Sequence, residues 1–555
     1  MSTPIDISPV TVEIIRSALV QAAEDMNRTL IRSAYTPTIY EGKDCAVALL
    51  DRDHRILGQS SGLPIFLGNL EECTRYTENL LGADCWQDGD VWVLNDSYIG
   101  GTHLNDCTVF APIFVAGELK GFAASRAHWI DMGSKDPGGS MDSTNIYQDG
   151  LRFPPIRLVR AGEEEPDMMR LISLNVRFPY ETLGDMRAQV ACARMGARRL
   201  GELYARYGDE TIAAAREVIF AQTDELERRR IAAIPDGEYT AEGYLDNDGV
   251  NLDTPLRVGV RVVVDGERML IDLTDSADQA RGPVNCGRSQ AVAAARVGYK
   301  LLVSPEVSLN GGSFGPLDVQ VRDGSLLAAQ DPAACQYYYS SLGMLIDLVV
   351  KALAPVMPLQ VAGASYGDSM IIQFTGTDPR TAKPFVTLEA TVGGWGAWEG
   401  SDGETALINN VNGSLRDLPV EVLETLYPLR VHRYAIREDS GGRGKWRGGN
   451  GVVREYEALA DLDLSLWWER SETPAWGAFG GSAGAAPRVT VNPGRDDELR
   501  MLKANARPIQ AGAIIRCESG GGGGYGDPRE RDRAAVDADV AAGMLSRDAA
   551  DAWFR

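Results

Sequence analysis

The amino-acid sequence predicts a large chain of mixed α/β (α+β) class, with helical N-terminal elements and β-rich central and C-terminal parts. Three patterns indicate this class. Apolar residues recur at helical spacing from Ile15 to Leu30. In the middle of the chain, two strand-like runs, Val258 to Val264 and Met269 to Leu273, flank the turn Asp265-Gly266, as in a β-hairpin. Towards the C-terminus, glycine clusters separate short strand-like runs.

The N-terminal elements follow from local signals. We expect the first helix to begin at Ser8-Pro9, because serine caps helices well and proline fits the first helical turn. Asp44 to Leu50 is a predicted strand. Asp51 to His54 is typical of the turn after a strand, which predicts a surface position for His54.

The stretch from Val93 to Pro155 carries most of the functional information. Three strands are predicted in or beside it: Asp90 to Leu94, Cys107 to Val115 and Lys120 to Ala127. If a three-residue loop over Ala116 to Glu118 joins the last two strands, Asp106 lies opposite His128. Directly opposed residues point to the same face, with Cβ atoms about 5 Å apart.

Two of the four histidines of the chain lie in this stretch, and each precedes an aspartate by three residues. The pairs are His103 with Asp106 and His128 with Asp131. His103, at the open end of the hairpin, could fold over the point where Asp106 and His128 face each other. Imidazole and carboxylate are usual ligands of divalent zinc, manganese or iron. The pattern therefore favours a metal site over two unrelated, hydrogen-bonded histidines.

Composition narrows the class of partner. The chain has 555 residues and a formal net charge of -23, which disfavours nucleic acid and anionic membranes as partners. Its eight cysteines include no CxxC pair, which favours a reduced, cytoplasmic setting. Residues 1–6 lack the features of a signal peptide. The most apolar stretch, Leu342 to Leu359, contains Asp347 and Lys351, so we expect no membrane span.

The later parts alternate between helical and β-type patterns. Residues 168–235 are rich in Ala, Arg, Leu and Glu and predict helices. Residues 239–330 predict mostly strands, with one helix over Ser289 to Leu302 for which Ser289 is the expected N-cap. A further helix is expected over Ser340 to Ala354, and short helices over the tail, residues 531–555.

Residues 371–526 form a glycine-rich β part. Its glycine clusters fit two interpretations, loops that close over a ligand or partner and turns within a large β-rich fold. The sequence contains no GxxxxGK[ST] motif, and no GxGxxG motif follows a strand and opens a helix. We therefore expect no nucleotide site of a recognised type in this chain.

Several long motifs resemble the hydantoinase B/oxoprolinase family. They are Asn95 to Asp106, Ala127 to Gly133, Ile146 to Pro155, Arg281 to Asn285, Gly393 to Gly396, Asp439 to Gly442, Arg447 to Gly449 and Gly522 to Pro528. The family comprises B-type subunits of ATP-dependent amidohydrolases, and acetone and acetophenone carboxylases contain related subunits. The resemblance implies one hydantoinase B-type catalytic unit over residues 1–530, with its metal-site core at about 36–160.

The resemblance also implies a ligand set. An aspartate of the N-terminal motif joins the metal site in the family, and the matching positions here are Asp44, His103, Asp106 and His128. Phe66 and Trp129 stand where many members have histidine, and we expect both to make the pocket more apolar and to favour a bulkier substrate. Asp131, close in sequence to His128, is the candidate for proton transfer or for support of a ligand.

In the family, an A-type partner binds ATP and phosphorylates the substrate, and the metal site of the B-type subunit acts on the activated intermediate. The leading hypothesis is therefore a hetero-oligomeric, ATP-dependent hydrolase of a cyclic amide such as a lactam, hydantoin or oxoproline. One alternative is a subunit of a ketone carboxylase. The other is a non-catalytic structural subunit.

Overall fold

The computed structural model describes residues 7–554, and these residues form twelve α-helices and twenty β-strands in four sheets. Residues 1–6, for which no signal peptide is predicted, lie outside the described residues, as does Arg555 of the predicted tail. The mixed α/β class predicted from the sequence is confirmed.

The first part of the chain builds a seven-stranded antiparallel sheet. Its elements are α1 (Pro9–Ser33), α2 (Pro37–Tyr40), β1 (Cys45–Asp51), β2 (Ile56–Gln59), α3 (Pro64–Leu67), α4 (Leu70–Leu81), β3 (Val91–Leu94), β4 (Asp106–Val115), β5 (Glu118–His128), β6 (Ile156–Arg160) and β7 (Glu163–Glu164). The strand order is β2-β1-β5-β4-β3-β6-β7. The predicted N-cap of α1 is confirmed, because the Ser8 hydroxyl accepts a hydrogen bond from the Thr11 N–H at 3.1 Å.

The predicted surface position of His54 is wrong. His54 lies in the turn between β1 and β2 with a positive φ of 62°, and its side chain is buried. Its Nδ1 lies 3.0 Å from the Thr74 hydroxyl on α4, and its ring stacks on Phe122 at 5.0 Å. Because α4 covers this end of the sheet, a turn that looks exposed in the sequence is enclosed in the fold.

Three helices follow and confirm the helical pattern predicted for residues 168–235. They are α5 (Pro166–Asn175), α6 (Pro179–Tyr207) and α7 (Asp209–Ile231). Apolar residues of α1, α6 and α7 pack with one face of the seven-stranded sheet in a single core. The other face of the sheet packs against α4 and Trp86.

The central part combines a four-stranded sheet with two helices. Its elements are β8 (Gly237–Leu245), β9 (Leu256–Asp265), β10 (Arg268–Asp272), α8 (Arg288–Val303), β11 (Leu317–Gln320) and α9 (Tyr338–Ala352). The predicted hairpin at Asp265-Gly266 is confirmed, since Asp265 pairs with Arg268. Ser289 is not the N-cap of α8. The N-cap is Gly287, and the helix begins at Arg288. A Cβ atom on Gly287 would lie 1.8 Å from the Ser97 carbonyl oxygen.

The C-terminal part contains two further sheets around a shared apolar core. Its elements are β12 (Ile371–Asp378), β13 (Lys383–Glu389), α10 (Val420–Leu426), β14 (Leu429–Ile436), β15 (Val452–Ala458), β16 (Leu462–Trp467), β17 (Arg488–Val491), β18 (Leu499–Arg500), β19 (Lys503–Ile509), β20 (Ile514–Glu518), and in the tail α11 (Arg533–Ala541) and α12 (Arg547–Ala552). The strand orders are β13-β12-β16-β19 and β14-β15-β20-β17-β18.

The glycine clusters of the C-terminal part pack main chain against main chain. The segment from Gly520 to Gly524 exchanges backbone hydrogen bonds with several glycine-rich segments. The Gly394 N–H donates to the Gly520 carbonyl at 3.0 Å, and the Gly522 N–H donates to the Gly449 carbonyl at 2.9 Å. A Cβ atom on Gly522 would lie 1.9 Å from the Trp395 carbonyl oxygen. Close approach of backbones, rather than tight turns, is the reason for glycine here.

Within the part of the chain that the structure describes, no helix combines the length and the apolar character needed to cross a membrane.

Candidate metal centre

The β4–β5 hairpin places Asp106 directly opposite His128, as the sequence predicts. The connection differs from the predicted three-residue loop. Ala116 and Gly117 form a two-residue turn with positive φ angles of 53° and 83°, as in a type I′ turn. Ile113 pairs with Gly121 and Phe114 with Leu119, so Lys120 is an extra, bulged residue in β5. The shorter turn alone would shift the register by one residue, and this bulge restores it.

His103 reaches the hairpin because the loop that carries it is firmly anchored. The Asn95 side chain donates to the carbonyl of Leu104 at 2.7 Å and accepts from the Phe153 N–H at 2.6 Å. The buried guanidinium of Arg126 donates to the carbonyl of Gly100 and, at 2.7 Å, to the Asn69 side chain. These hydrogen bonds fix both ends of the loop and direct His103 towards Asp106.

Three ligand-type atoms meet at one point. The distances are 2.9 Å from His103 Nε2 to Asp106 Oδ1, 3.1 Å from His128 Nδ1 to the same oxygen, and 3.2 Å between the two nitrogens. All three side chains are buried. Burial raises the pKa of Asp106, but the two histidines outweigh burial and hold that pKa well below its usual range. Asp106 therefore carries a negative charge beside two imidazoles.

Partners distant in the sequence orient these groups. His103 Nδ1 lies 3.1 Å from both the backbone carbonyl oxygen and the side-chain Nε2 of Gln336. In the tautomer that donates to the carbonyl, the lone pair of Nε2 points towards Asp106. The second oxygen of Asp106 accepts from the Thr102 hydroxyl at 2.5 Å and from the Tyr338 hydroxyl at 3.1 Å. The sequence alone did not point to Gln336 or Tyr338. The signal that could have found them is four consecutive hydrogen-bonding side chains, Gln336 to Tyr339, at the start of the apolar helix α9.

Asp44 lies at the same site. It precedes β1, and its carbonyl oxygen accepts from the His128 N–H at 3.2 Å. The pKa of Asp44 is raised to about 7, chiefly by burial and also by Asp106, against the lowering effect of His128. Its Oδ1 atom is buried without a hydrogen-bond partner among residues 7–554. An unpaired buried carboxylate oxygen is costly unless a cation or another donor binds it.

These residues fit a divalent metal. Ligand atoms bound tetrahedrally at about 2.0–2.2 Å from an ion lie about 3.4 Å apart, close to the triangle formed by His103, Asp106 and His128. Asp44 adds a further carboxylate with a free oxygen. Two nitrogens with carboxylate oxygens suit zinc, manganese or iron. Three of the four ligands implied by the resemblance, His103, Asp106 and His128, thus have their ligand atoms within 4.8 Å of one another. Asp44 lines the same cavity outside that group, and its role as a ligand and the occupancy by metal stay predictions.

Asp131 is not brought into this cavity. Its carboxylate is fully buried and accepts hydrogen bonds from the backbone N–H of Arg177 at 2.5 Å and from the Arg177 guanidinium at 3.0 Å. After β5 ends at His128, the chain turns towards the segment between α5 and α6. No contact among the described residues therefore supports either role predicted for Asp131, proton transfer or support of a ligand.

A narrow cavity of about 70 Å³ adjoins the four side chains. Such a volume holds a few water molecules. Apolar and aromatic residues form much of the wall: Phe66, Tyr337, Tyr338, Tyr339, Ile371, Val386, Leu388, Leu415, Leu418 and Tyr427. Phe66 thus lines the cavity as expected. Trp129 does not, because its ring lies in the helical core and its Nε1–H donates to Gln189 at 2.7 Å.

The Tyr338 hydroxyl offers a test of the metal centre. We expect Tyr338→Phe to weaken divalent-metal affinity by about 10- to 100-fold, because Asp106 loses a hydrogen bond that orients it. Calorimetric titration with zinc or manganese measures this affinity. Tyr337→Phe is the matched control, since the Tyr337 hydroxyl has no partner in the described part of the chain. Equal affinity of both variants and the wild type would contradict the assignment.

The fold and this group of residues define a class, a mixed α/β protein with a buried imidazole–carboxylate centre in a confined pocket. The chain belongs to the hydantoinase B/oxoprolinase family, whose profile matches residues 8–528.

Two curated relatives span nearly the whole chain. A protein of Pseudomonas sp. (strain NS671), provisionally named as the B subunit of a D-/L-hydantoinase, is 32% identical and is aligned over 98% of this chain and 94% of its own length. The beta subunit of the caprolactamase of Pseudomonas jessenii is 30% identical, with 98% and 95% covered.

Solved structures agree with these relatives. The crystal structure of the ATP-dependent caprolactamase from Pseudomonas jessenii matches with a TM-score of 0.90 at 27% identity, covering 99% of this chain and 96% of that chain. A nucleotide-free acetone carboxylase structure matches with a TM-score of 0.89 over 99% of this chain and 79% of that chain. Its identity of 20% shows a shared fold alone.

Proposed function

We propose that this chain is the metal-containing subunit of a heteromeric, ATP-dependent hydrolase of cyclic amides. The observation that carries the proposal is the meeting of His103, Asp106 and His128 within 3.2 Å at a narrow cavity with a largely apolar and aromatic wall. Membership of the hydantoinase B/oxoprolinase family supports it, as do the relatives named for hydantoinase and caprolactamase.

The side chains have separate tasks in this proposal. A bound zinc, manganese or iron ion would lower the pKa of a bound water, which would then attack the activated ring. Gln336 holds His103 in one orientation, and Thr102 and Tyr338 hold Asp106 in place. The aromatic wall excludes bulk water from the ring. Burial raises the pKa of the Tyr338 hydroxyl well above its usual value, so this group stays a hydrogen-bond donor.

A separate partner would supply ATP chemistry. Both curated relatives are named as single subunits of larger enzymes, which supports a heteromer, and the similar caprolactamase is described as ATP-dependent. This chain has no Walker A motif. We assign ATP binding and substrate phosphorylation to an A-type partner. Eight unpaired cysteines support a reducing, cytoplasmic setting.

The test uses this chain purified with its co-expressed partner. ATP hydrolysis and product formation are followed with lactams, hydantoins and ketones, with and without bicarbonate, and metal is measured on the same sample. We expect stoichiometric metal and ring opening of a cyclic amide without bicarbonate. Product from a ketone only with bicarbonate would instead identify a carboxylase component. A sample without metal or turnover would support a structural role.

A further inference from the structure

Acidic residues outnumber basic residues in the wall of the cavity. Among the described residues, four carboxylates line it, Asp44, Asp106, Glu389 and Asp417, and Arg416 is the one lysine or arginine that does so. An anionic ligand that enters this cavity therefore meets mostly negative charge. Arg416 is the cationic side chain available to attract it.

The carboxylates away from the metal centre already have partners. Glu389 accepts from the Tyr456 hydroxyl at 2.9 Å and lies 3.2 Å from the guanidinium of Arg454. Asp417 accepts from the Tyr434 hydroxyl and lies 3.9 Å from the same guanidinium. Arg454 is itself buried, so its charge is committed to these two carboxylates. One guanidinium thus serves both carboxylates, and Oδ1 of Asp417 has no hydrogen-bond partner among the described residues.

Arg416 is in the opposite situation. It is exposed, and no carboxylate oxygen lies within 4.0 Å of its side chain in residues 7–554. Its backbone N–H donates to the carbonyl of Gly42 at 2.9 Å, which ties this segment to the loop that ends in Asp44. The main chain of Arg416 is thus fixed beside the metal centre, while its guanidinium has no carboxylate partner in the described part of the chain.

We infer that Arg416 binds the phosphoryl group of the activated substrate at the mouth of the cavity. The inference rests on the proposed function, in which a partner phosphorylates a small cyclic amide before this chain acts on it. A phosphoryl group carries close to two negative charges, and a guanidinium can bind two of its oxygens at once. Arg416 would hold that group outside while the ring enters the aromatic cavity.

Inorganic phosphate is the probe for the first test. Calorimetric titration of the metal-loaded protein should show phosphate binding about tenfold weaker in Arg416→Ala, with partial retention in Arg416→Lys. Arg433→Ala is the matched control, because Arg433 is also exposed and has no carboxylate partner among the described residues. Unchanged phosphate affinity in Arg416→Ala would overturn the inference. Thermal unfolding verifies that each variant is folded.

The second test measures how tightly ATP hydrolysis is coupled to ring opening in the complex with the partner. In Arg416→Ala, activated substrate escapes into water, so the ATP consumed per ring opened should rise about tenfold. The ratio should stay unchanged in Arg433→Ala. If the wild-type complex opens no ring but phosphate binding still depends on Arg416, the anion site stands and the proposed substrate class falls. If both variants remain fully coupled, Arg416 has no role in holding the intermediate.

Discussion

Replacement of His103 by alanine is expected to abolish stoichiometric metal binding and to lower ring-opening turnover at least about a thousandfold, equivalent to about 4 kcal/mol. The reason is geometric. His103 supplies one corner of a triangle whose sides are no longer than 3.2 Å, and its loss leaves the charge of Asp106 beside a single imidazole. Metal content by elemental analysis and turnover with the co-expressed partner are the measurements.

His432→Ala is the matched control for this substitution. His432 is exposed on β14, where its Nε2 lies 2.8 Å from Glu457, and it takes no part in the cavity. We expect this variant to keep metal and activity. Circular dichroism and co-purification with the partner should be the same for both variants. A His103→Ala protein that retains full metal and turnover would refute the metal centre.

The contrast between local and distant contacts explains how much of this centre could be predicted. Asp106 and His128 lie on adjacent strands, so alternation and an assumed turn length were enough to place them opposite each other. The assumed turn was wrong by one residue, and the bulge at Lys120 compensates for it. Asp44 was assigned through the family resemblance, because a lone aspartate before a strand has no distinctive local pattern.

Gln336 and Tyr338 could not be found in the same way. They lie more than 230 residues from His103 and Asp106 in the chain, and they reach the centre through the packing of α9 against the first part of the fold. The local pattern of α9 indicates an apolar helix but not which residues its first turn will meet. His54 shows the same limit, since α4 buries a turn that is polar in sequence.

The glycine-rich part leads to the second large effect. We expect Gly522→Ala to destabilise the chain by at least about 2 kcal/mol, because the added Cβ would lie 1.9 Å from the Trp395 carbonyl oxygen. The neighbouring atoms are backbone atoms within a hydrogen-bonded array, so they cannot move aside as a flexible side chain would. The midpoint of thermal unfolding should fall by several degrees, and proteolysis of the C-terminal part should accelerate.

Gly201→Ala separates this effect from the general cost of replacing a glycine. Gly201 lies within α6, and a Cβ atom there would meet no heavy atom within 4 Å beyond its chain neighbours and the backbone of its own helix, among the described residues. Alanine should therefore be neutral or slightly stabilising. The comparison also separates the two interpretations of the glycine clusters. If Gly522 belonged to a loop that closes over a ligand, Gly522→Ala would lower turnover and leave the unfolding midpoint unchanged. If the clusters serve main-chain packing, Gly522→Ala would instead lower the unfolding midpoint, and turnover would fall only because less of the protein is folded.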